Sequence, residues 1–173
     1  MKVGDWQTYQ SEFGRAAATG NPTGLLLADH KWIRTVFEEL TLRMTADQST
    51  IRELLPGLKH MAELLDIHIR QEEDVYFPAV RPLVFDRART WIAAAFPEHE
   101  VVRMTEDDFL EAIERRRDLG TDFRSFHSAL VQHLDNEEEF IFPEVAANLG
   151  EDAARSLAAG MLKLAGPAVE HSQ

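Results

Sequence analysis

Apolar residues recur three or four positions apart over most of the chain, which is the spacing of amphipathic α-helices. No run of useful length alternates apolar and polar residues, so the pattern favours an all-α fold over one with strands. It predicts four long core helices, at about residues 23–44, 58–78, 97–119 and 121–148. A final helix is expected at about 150–165.

Proline and glycine positions indicate where these helices begin and end. Pro97 stands at the predicted first residue of the third core helix, and Gly120 at its predicted end. Residues 79–96 are therefore expected to form a connection that contains a short helix. Pro56 implies either a short helix ahead of the second core helix or a kink within it, and Pro143 should bend or end the fourth.

The core helices form two similar pairs. A shift of 65 residues relates the fourth helix to the second, and a shift of 69 relates the third to the first. The matched positions are Leu58/Phe123, Met61/Phe126, Leu65/Leu130, His68/His133, Glu72/Glu137, Val75/Phe140, Phe77/Phe142 and Pro78/Pro143, together with Asp29/Glu98, His30/His99 and Arg34/Arg103. Two such antiparallel hairpins would close into an up-down four-helix bundle. The chain then divides into an N-terminal extension (1–22), the bundle (23–148) and a C-terminal helix with a tail (149–173).

Composition narrows the classes of function. The chain has 173 residues, with 30 acidic against 18 basic side chains and a formal net charge of −12, which disfavours nucleic acid and anionic membrane surfaces as partners. The absence of cysteine excludes disulfides, iron–sulfur clusters and thiol nucleophiles. The longest apolar stretches fall far short of the ~20 residues that span a membrane, and the first residues lack the apolar segment of a signal peptide. We therefore expect a cytoplasmic protein.

The second and fourth core helices each carry a His and a Glu within the apolar seam. Burying an isolated carboxylate is costly, and burying two that face each other is more so. Either a cation lies between them, or they are protonated, or the seam is assigned wrongly, and a metal is the economical explanation. Residues i and i+4 lie ~6 Å apart along a helix, so His-x-x-x-Glu can converge on one or two ions. A His on each partner helix completes the predicted ligand set: His30, His68, Glu72, His99, His133 and Glu137.

Divided between two metals, this set gives each ion two His ligands, with Glu72 and Glu137 bridging both. Space would remain for an oxo or hydroxo bridge and an exchangeable ligand. Nitrogen and carboxylate donors without sulfur favour iron or manganese over copper(I), and they leave zinc open.

Other polar residues are expected to play lesser parts. Glu73 and Glu138 should face solvent or pair with Arg34 and Arg103, and Glu106 should lie at the rim of the bundle or be exposed. Three histidines fall outside the repeat and are expected at the surface or hydrogen-bonded: His60, His127 and His171.

The repeated motifs resemble the hemerythrin-like family, specifically its HHE cation-binding members, over about residues 23–148. The resemblance implies a non-haem di-iron centre in an up-down four-helix bundle, with the six predicted ligands around the two irons. It also implies a small diatomic ligand such as oxygen or nitric oxide. The roles it suggests are oxygen binding, sensing, iron handling, and responses to oxidative or nitrosative stress.

Two departures from the family's patterns bear on function. Arg103 stands where the oxygen-carrying hemerythrins place a second His on the third helix, and His133-x-x-x-Glu137 replaces their His-x-x-x-x-Asp. A centre with four imidazoles is more open, and an open ferrous site tends to oxidise, so reversible oxygen carriage is less expected. The iron-centre repair members share the four-His, two-Glu set but typically carry a Cys-containing N-terminal segment, and this chain has no Cys.

The sequence therefore supports a leading function and an alternative. The first is a metal-binding protein that binds or senses oxygen, nitric oxide, or redox and iron state. The alternative is a di-iron oxidase or peroxidase-like enzyme, for which no substrate pocket can be identified from the sequence. A bundle that binds no metal would leave the repeated inward His and Glu residues as a coincidence. The oligomeric state stays open.

Overall fold

The computed structural model describes residues 6–46 and 48–165, and every regular element among them is helical, as predicted. The α-helices are α1 (Trp6–Thr19), α2 (Pro22–Ala46), α3 (Leu55–Gln71), α4 (Phe77–Val80), α5 (Asp86–Glu114), α6 (Gly120–Asn136), α7 (Phe142–Asn148) and α8 (Glu151–Ala165). A 3₁₀-helix, Gln48–Leu54, precedes α3, so the short-helix alternative at Pro56 is confirmed. Two π-helical turns, Glu72–Tyr76 and Glu137–Ile141, join α3 to α4 and α6 to α7 without a break, and we call the two continuous helices the α3–α4 rod and the α6–α7 rod.

Contacts among α2, α5 and the two rods run antiparallel. Two contacts are given for each pair of helices, and the contact that lies further along one helix lies earlier along the other. The pairs are Thr23–Tyr76 and His30–His68 between α2 and the α3–α4 rod, Lys59–Glu114 and Phe77–Phe96 between that rod and α5, Phe109–Phe123 and His99–His133 between α5 and α6, and Phe37–Phe126 and His30–Phe142 between α2 and the α6–α7 rod. The apolar sides of these helices pack into one core.

The N-terminal residues expected to be a short extension contain a 14-residue helix, α1, that folds back on α2. Gly20 makes the turn with a φ of 65°, a left-handed conformation that suits glycine, and the Asn21 N–H donates to the Ala16 carbonyl. The terminal helix α8, which the sequence predicts, packs against α1, α2 and α3. Both additional helices therefore lie mainly on the first helix pair.

The third core helix is longer than predicted, and its predicted start is wrong. The helix α5 begins at Asp86, and Pro97 lies inside it. Pro97 has no N–H to donate and interrupts the backbone ladder there. The helix continues because Ile92 and Ala95, before the proline, are both buried at 1% exposure and anchor this stretch to the core.

The predicted glycine stop is also wrong. Helix α5 ends at Glu114, and Gly120 is the first residue of α6. Arg116 takes the left-handed conformation with a φ of 56°, and the Arg117 N–H donates to the Ala112 carbonyl, which is the hydrogen bond that usually accompanies a terminal glycine. An arginine performs the role that the sequence rule assigns to glycine.

No helix in the described part of the chain combines the length and the apolar character needed to cross a bilayer.

Candidate metal centre

The six predicted ligands come together at the centre of the helical core, and each is at most 1% exposed. They form two groups of four, in each of which one ligand atom per residue lies within 4.8 Å of the others. The first group is His30, His68, Glu72 and Glu137, and the second is Glu72, His99, His133 and Glu137. The two glutamates are common to both groups, as the two-metal arrangement requires.

The inward-facing atoms of this cluster are buried without a hydrogen-bond partner among the described residues. They are the Nε2 atoms of the four histidines and both carboxylate oxygens of the two glutamates. The Nε2 atoms lie close to carboxylate oxygens: His30 is 3.3 Å from Glu137, His68 is 3.3 Å from Glu72, and His99 is 3.2 Å from Glu72. Two donors that bind one ion at about 2.1 Å are about 3–4 Å apart, so the spacing fits metal ligation.

The opposite nitrogen of each imidazole is held by a carboxylate on a neighbouring helix. Because a carboxylate only accepts, Nδ1–H must be the donor in each case, which leaves Nε2 free of a proton when the ring is neutral. The pairs are His30–Glu138 at 2.9 Å, His68–Asp29 at 3.0 Å, His99–Glu73 at 2.7 Å and His133–Glu98 at 3.4 Å. Such carboxylates commonly orient metal-binding histidines and fix their tautomer.

Two of these outer carboxylates are held in turn by arginines. Arg103 donates to Glu73 at 3.2 Å, and Arg34 donates to Glu138 at 3.2 Å, so the predicted pairing is confirmed. Burial favours the neutral form of Glu73, but the Arg103 hydrogen bond outweighs burial and lowers the pKa of Glu73. For Glu138, the hydrogen bond from His30 is the largest effect; together with Arg34 it lowers the pKa of Glu138 against the opposing effect of burial. Glu73 and Glu138 are therefore ionised acceptors at neutral pH.

The inner carboxylates have opposite pKa shifts because they face each other. Burial raises the pKa of Glu137, and the nearby charge of Glu72 raises it further. Although burial opposes ionisation, His68 holds the pKa of Glu72 below its usual range. Burial likewise opposes protonation of His68, but Glu72 raises its pKa to about 9. Protons and metal ions would compete for these atoms, which makes metal affinity dependent on pH.

Each inner glutamate is the first residue of a π-helical turn that the sequence analysis did not predict. The Phe77 N–H donates to the Glu72 carbonyl, and the Phe142 N–H donates to the Glu137 carbonyl, five residues back in each case. A π-helical turn has one more residue than an α-helical turn, and this extra residue turns Phe77 and Phe142 inward. Val75 and Phe140, which the repeat placed in the buried seam, are only partly buried. Turns of this kind often occur at functional sites.

The inward phenylalanines cover the imidazole rings. Phe77 stacks on His99 with ring centroids 6.2 Å apart, and Phe142 packs on His30 at 5.4 Å. Tyr76 is buried nearby, and its hydroxyl hydrogen-bonds to Thr23 at 2.7 Å. The cluster is thus enclosed by apolar rings on the side of the π-helical turns, which keeps water from its unpartnered atoms.

The sequence analysis missed two residues and misplaced a third. Asp29 and Glu98 hold His68 and His133, and the available signal was an acidic residue directly before His30 and His99 in both copies of the repeat. Glu106, expected at the rim or exposed, is 8% exposed because it occupies a core position of α5.

The three remaining histidines have no contact with the cluster where they are described. His60 is partly exposed, and His127 packs against Phe37 and Phe123. His171 lies outside the described residues. Of the six histidines that the structure describes, the cluster therefore contains four.

Comparison with known proteins identifies the family. A family-wide sequence profile described as the hemerythrin HHE cation binding domain matches residues 21–145. No curated protein and no solved structure gives a significant match. The profile covers most of the chain and includes all six residues of the buried cluster, whose donors are those of a metal site. The chain belongs to the hemerythrin HHE cation-binding domain family.

Proposed function

We propose that this protein holds a non-haem di-iron centre within an up-down four-helix bundle and uses it to bind or sense oxygen, nitric oxide, or redox and iron state. The ligands would be His30 and His68 for one iron, and His99 and His133 for the other. Glu72 and Glu137 would bridge both, together with an oxo or hydroxo group. The antiparallel contacts among α2, α5 and the two rods support the bundle, which would span residues 23–148 between the extensions 1–22 and 149–173.

The observation that carries this proposal is the division of hydrogen bonding within each imidazole. All four Nδ1 atoms have a carboxylate acceptor, whereas all four Nε2 atoms are buried without a partner among the described residues. A structural polar cluster would be expected to satisfy both sides of the ring, because an unsatisfied buried polar atom is destabilising. An imidazole whose Nδ1–H is held by a carboxylate and whose Nε2 has no hydrogen-bond partner has the arrangement of a metal ligand.

The charge of the cluster also supports two cations. Six carboxylates surround the histidines, namely the two inner glutamates and the four residues that hold Nδ1, and two arginines accompany them. Two divalent cations would offset this negative charge. Nitrogen and oxygen donors suit iron, with manganese or zinc as further candidates, and iron would supply redox chemistry and open positions for a diatomic ligand.

Binding, rather than turnover, is the leading function because the six candidate ligands are buried and the sequence identifies no pocket for an organic substrate. The alternative, an oxidase or peroxidase-like enzyme in oxidative or nitrosative stress defence, predicts catalytic consumption of peroxide or nitric oxide. We would add excess peroxide to the iron-loaded protein and follow its loss. Stoichiometric reaction supports a binding function, and sustained turnover supports the enzyme. The cytoplasmic location stays a prediction.

The first test is the iron content of protein that has been expressed with iron and kept anaerobic. We expect two irons per chain in the wild type, and loss of the two-iron form in Glu137→Gln, because one bridging oxygen is replaced by an amide nitrogen. Glu139→Gln is the matched control, since Glu139 is exposed two residues away and the charge change is the same. Two irons in Glu137→Gln would exclude the bridging role, and no metal in a folded wild type would exclude the proposal.

A further inference from the structure

The half of the cluster that contains His68 is covered by the N-terminal helix. The Tyr9 hydroxyl on α1 donates to Asp29 at 2.8 Å, and Asp29 accepts from His68 Nδ1 at 3.0 Å. Tyr9 is 4% exposed, and its ring packs against Trp32 on α2. A hydrogen-bonded chain thus runs from α1 to one candidate ligand.

In the part of the chain that the structure describes, no helix covers the equivalent position in the other half in this way. The counterpart of Asp29 is Glu98, whose side chain is 26% exposed, against 12% for Asp29. The extra helices α1 and α8 pack mainly on α2 and α3, and within residues 6–46 and 48–165 no helix covers the outer face of α5 and α6 to a similar extent. Glu98 accepts from Asn136 at 2.9 Å, and its distance to His133 Nδ1 is the longer one, 3.4 Å.

A groove of about 390 Å³ opens on this uncovered face. It is lined by Ala94, Pro97, Glu98, Val101, Ala129 and Gln132. The corresponding residues of the first half are larger at three of these six positions. Leu25, Trp32 and Leu64 replace Ala94, Val101 and Ala129, and they are 0%, 5% and 9% exposed.

We infer that the two metal positions are inequivalent: α1, through Tyr9, closes the position at His30 and His68, whereas the position at His99 and His133 exchanges metal ions and small ligands with solvent through the α5–α6 groove beside Glu98. The inference rests on the proposed di-metal function. Tyr9 is a positioning residue that acts through Asp29 and His68. Glu98 combines two tasks, since it orients His133 and forms part of the groove wall.

Chelator extraction of the two-iron protein tests the inference. We would add a chelator that develops colour with ferrous iron under anaerobic conditions and follow the release of each iron. Release should occur in two phases of equal amplitude. Tyr9→Phe keeps the ring and removes the hydrogen bond donated to Asp29. We expect it to accelerate the slow phase by up to about tenfold, the lower limit for losing a direct partner of a metal ligand. The fast phase should not change.

Matched variants separate these effects from general loosening of the protein. Glu12→Gln breaks the Glu12–Lys31 ion pair between α1 and α2, which is unconnected to the histidines, and should leave both phases unchanged. Ala129→Trp fills the groove and should slow the fast phase, whereas Ser128→Trp places the same ring on the exposed neighbouring position and should not. Ala94→Phe fills the groove from the facing helix, and would answer the same question if Ala129→Trp does not fold.

The outcomes also separate this inference from the proposed function. Two irons released in one phase, or equal effects of Tyr9→Phe and Glu12→Gln, would overturn the inference and leave the di-iron proposal standing. A fast phase that is unaffected by either groove-filling variant would overturn the assigned route. Failure to bind two irons would overturn both.

Discussion

The buried carboxyl of Glu106 should make the protein less stable as the pH rises towards neutrality. Glu106 lies two helical turns after His99 on α5, and its counterpart in the first helix pair is the core residue Phe37. It is 8% exposed, and its Oε1 has no hydrogen-bond partner among the described residues. Burial, together with the negative charges of Asp107 and Asp66, raises its pKa to about 7.

The size and sign of the effect follow from this pKa. The folded state holds the proton up to about pH 7, whereas the unfolded chain releases it near the ordinary value of 4.5. The carboxyl therefore contributes its full stability below the unfolded pKa, and that contribution is lost as the pH rises through the folded one. At 1.36 kcal/mol per pKa unit the total is about 3 kcal/mol, of which about 2 kcal/mol would be lost between roughly pH 5.5 and 8.

Glu106→Gln removes this titration while keeping the shape of the side chain. We would measure the free energy of unfolding by urea titration for wild type and variant of equal metal content, at several pH values. The variant's advantage should grow by about 2 kcal/mol between about pH 5.5 and 8, because only the wild type must ionise a buried group. Asp108→Asn, an exposed neighbour with the same charge change, should show no such trend. A difference that is independent of pH would refute the reasoning.

Two further predictions concern the turn after α1 and the outer arginines. Gly20→Ala should lower the free energy of unfolding by about 1–2 kcal/mol, because a side chain is strained at the Gly20 φ of 65°. Gly14→Ala, within α1 and with open space around it, should instead raise the free energy of unfolding by about 0.5–1 kcal/mol. Urea unfolding would measure both, and changes of the same sign would contradict the prediction. Arg103→Gln should weaken iron binding about tenfold in competition with a chelator, because Glu73 loses the cation that lowers its pKa, and the exposed Arg124→Gln should not.

The sequence was sufficient to predict which six residues would meet, because two independent regularities agree on them. Helical periodicity places a His and a Glu four residues apart in each seam, and the repeat supplies a second copy in register. His30 and His99 are supported by the repeat alone, because neither has a second candidate ligand four residues away on its own helix. Their convergence in the structure is an observation. Whether they bind iron stays a prediction that metal analysis must test.

The outer partners were harder to predict because each one belongs to a different helix from its histidine. Asp29 precedes His30 in sequence but holds His68, and Glu98 precedes His99 but holds His133. The repeat marked these acids, but only the packing of neighbouring helices decides which imidazole each one reaches. The error at Glu106 has the same cause, because its burial depends on how the neighbouring helices pack around α5, which sequence periodicity does not determine.

Local signals for helix ends failed where packing opposed them. Pro97 was assigned to the start of a helix because its missing N–H is harmless there, yet it lies inside α5. The burial of Ile92 and Ala95 stabilises the helix on its N-terminal side. Arg116 accepts the left-handed conformation at the end of α5, so no glycine is needed there. These rules describe the average local free-energy cost of a residue at a helix position. At both positions here, tertiary packing outweighs that cost.

The π-helical turns could not be predicted from local sequence signals, because they depend on which side chains of each rod face the cluster. An α-helix rotates about 100° per residue, so residues five apart, such as Glu72 and Phe77, would point about 140° away from each other. A hydrogen bond that spans five residues returns them to nearly the same face, where the glutamate enters the cluster and the phenylalanine covers an imidazole. Pro78 and Pro143 directly follow those phenylalanines, but Pro97 has no such turn, so proline alone does not encode one. The requirement that Glu and Phe face the same centre is what the two copies share.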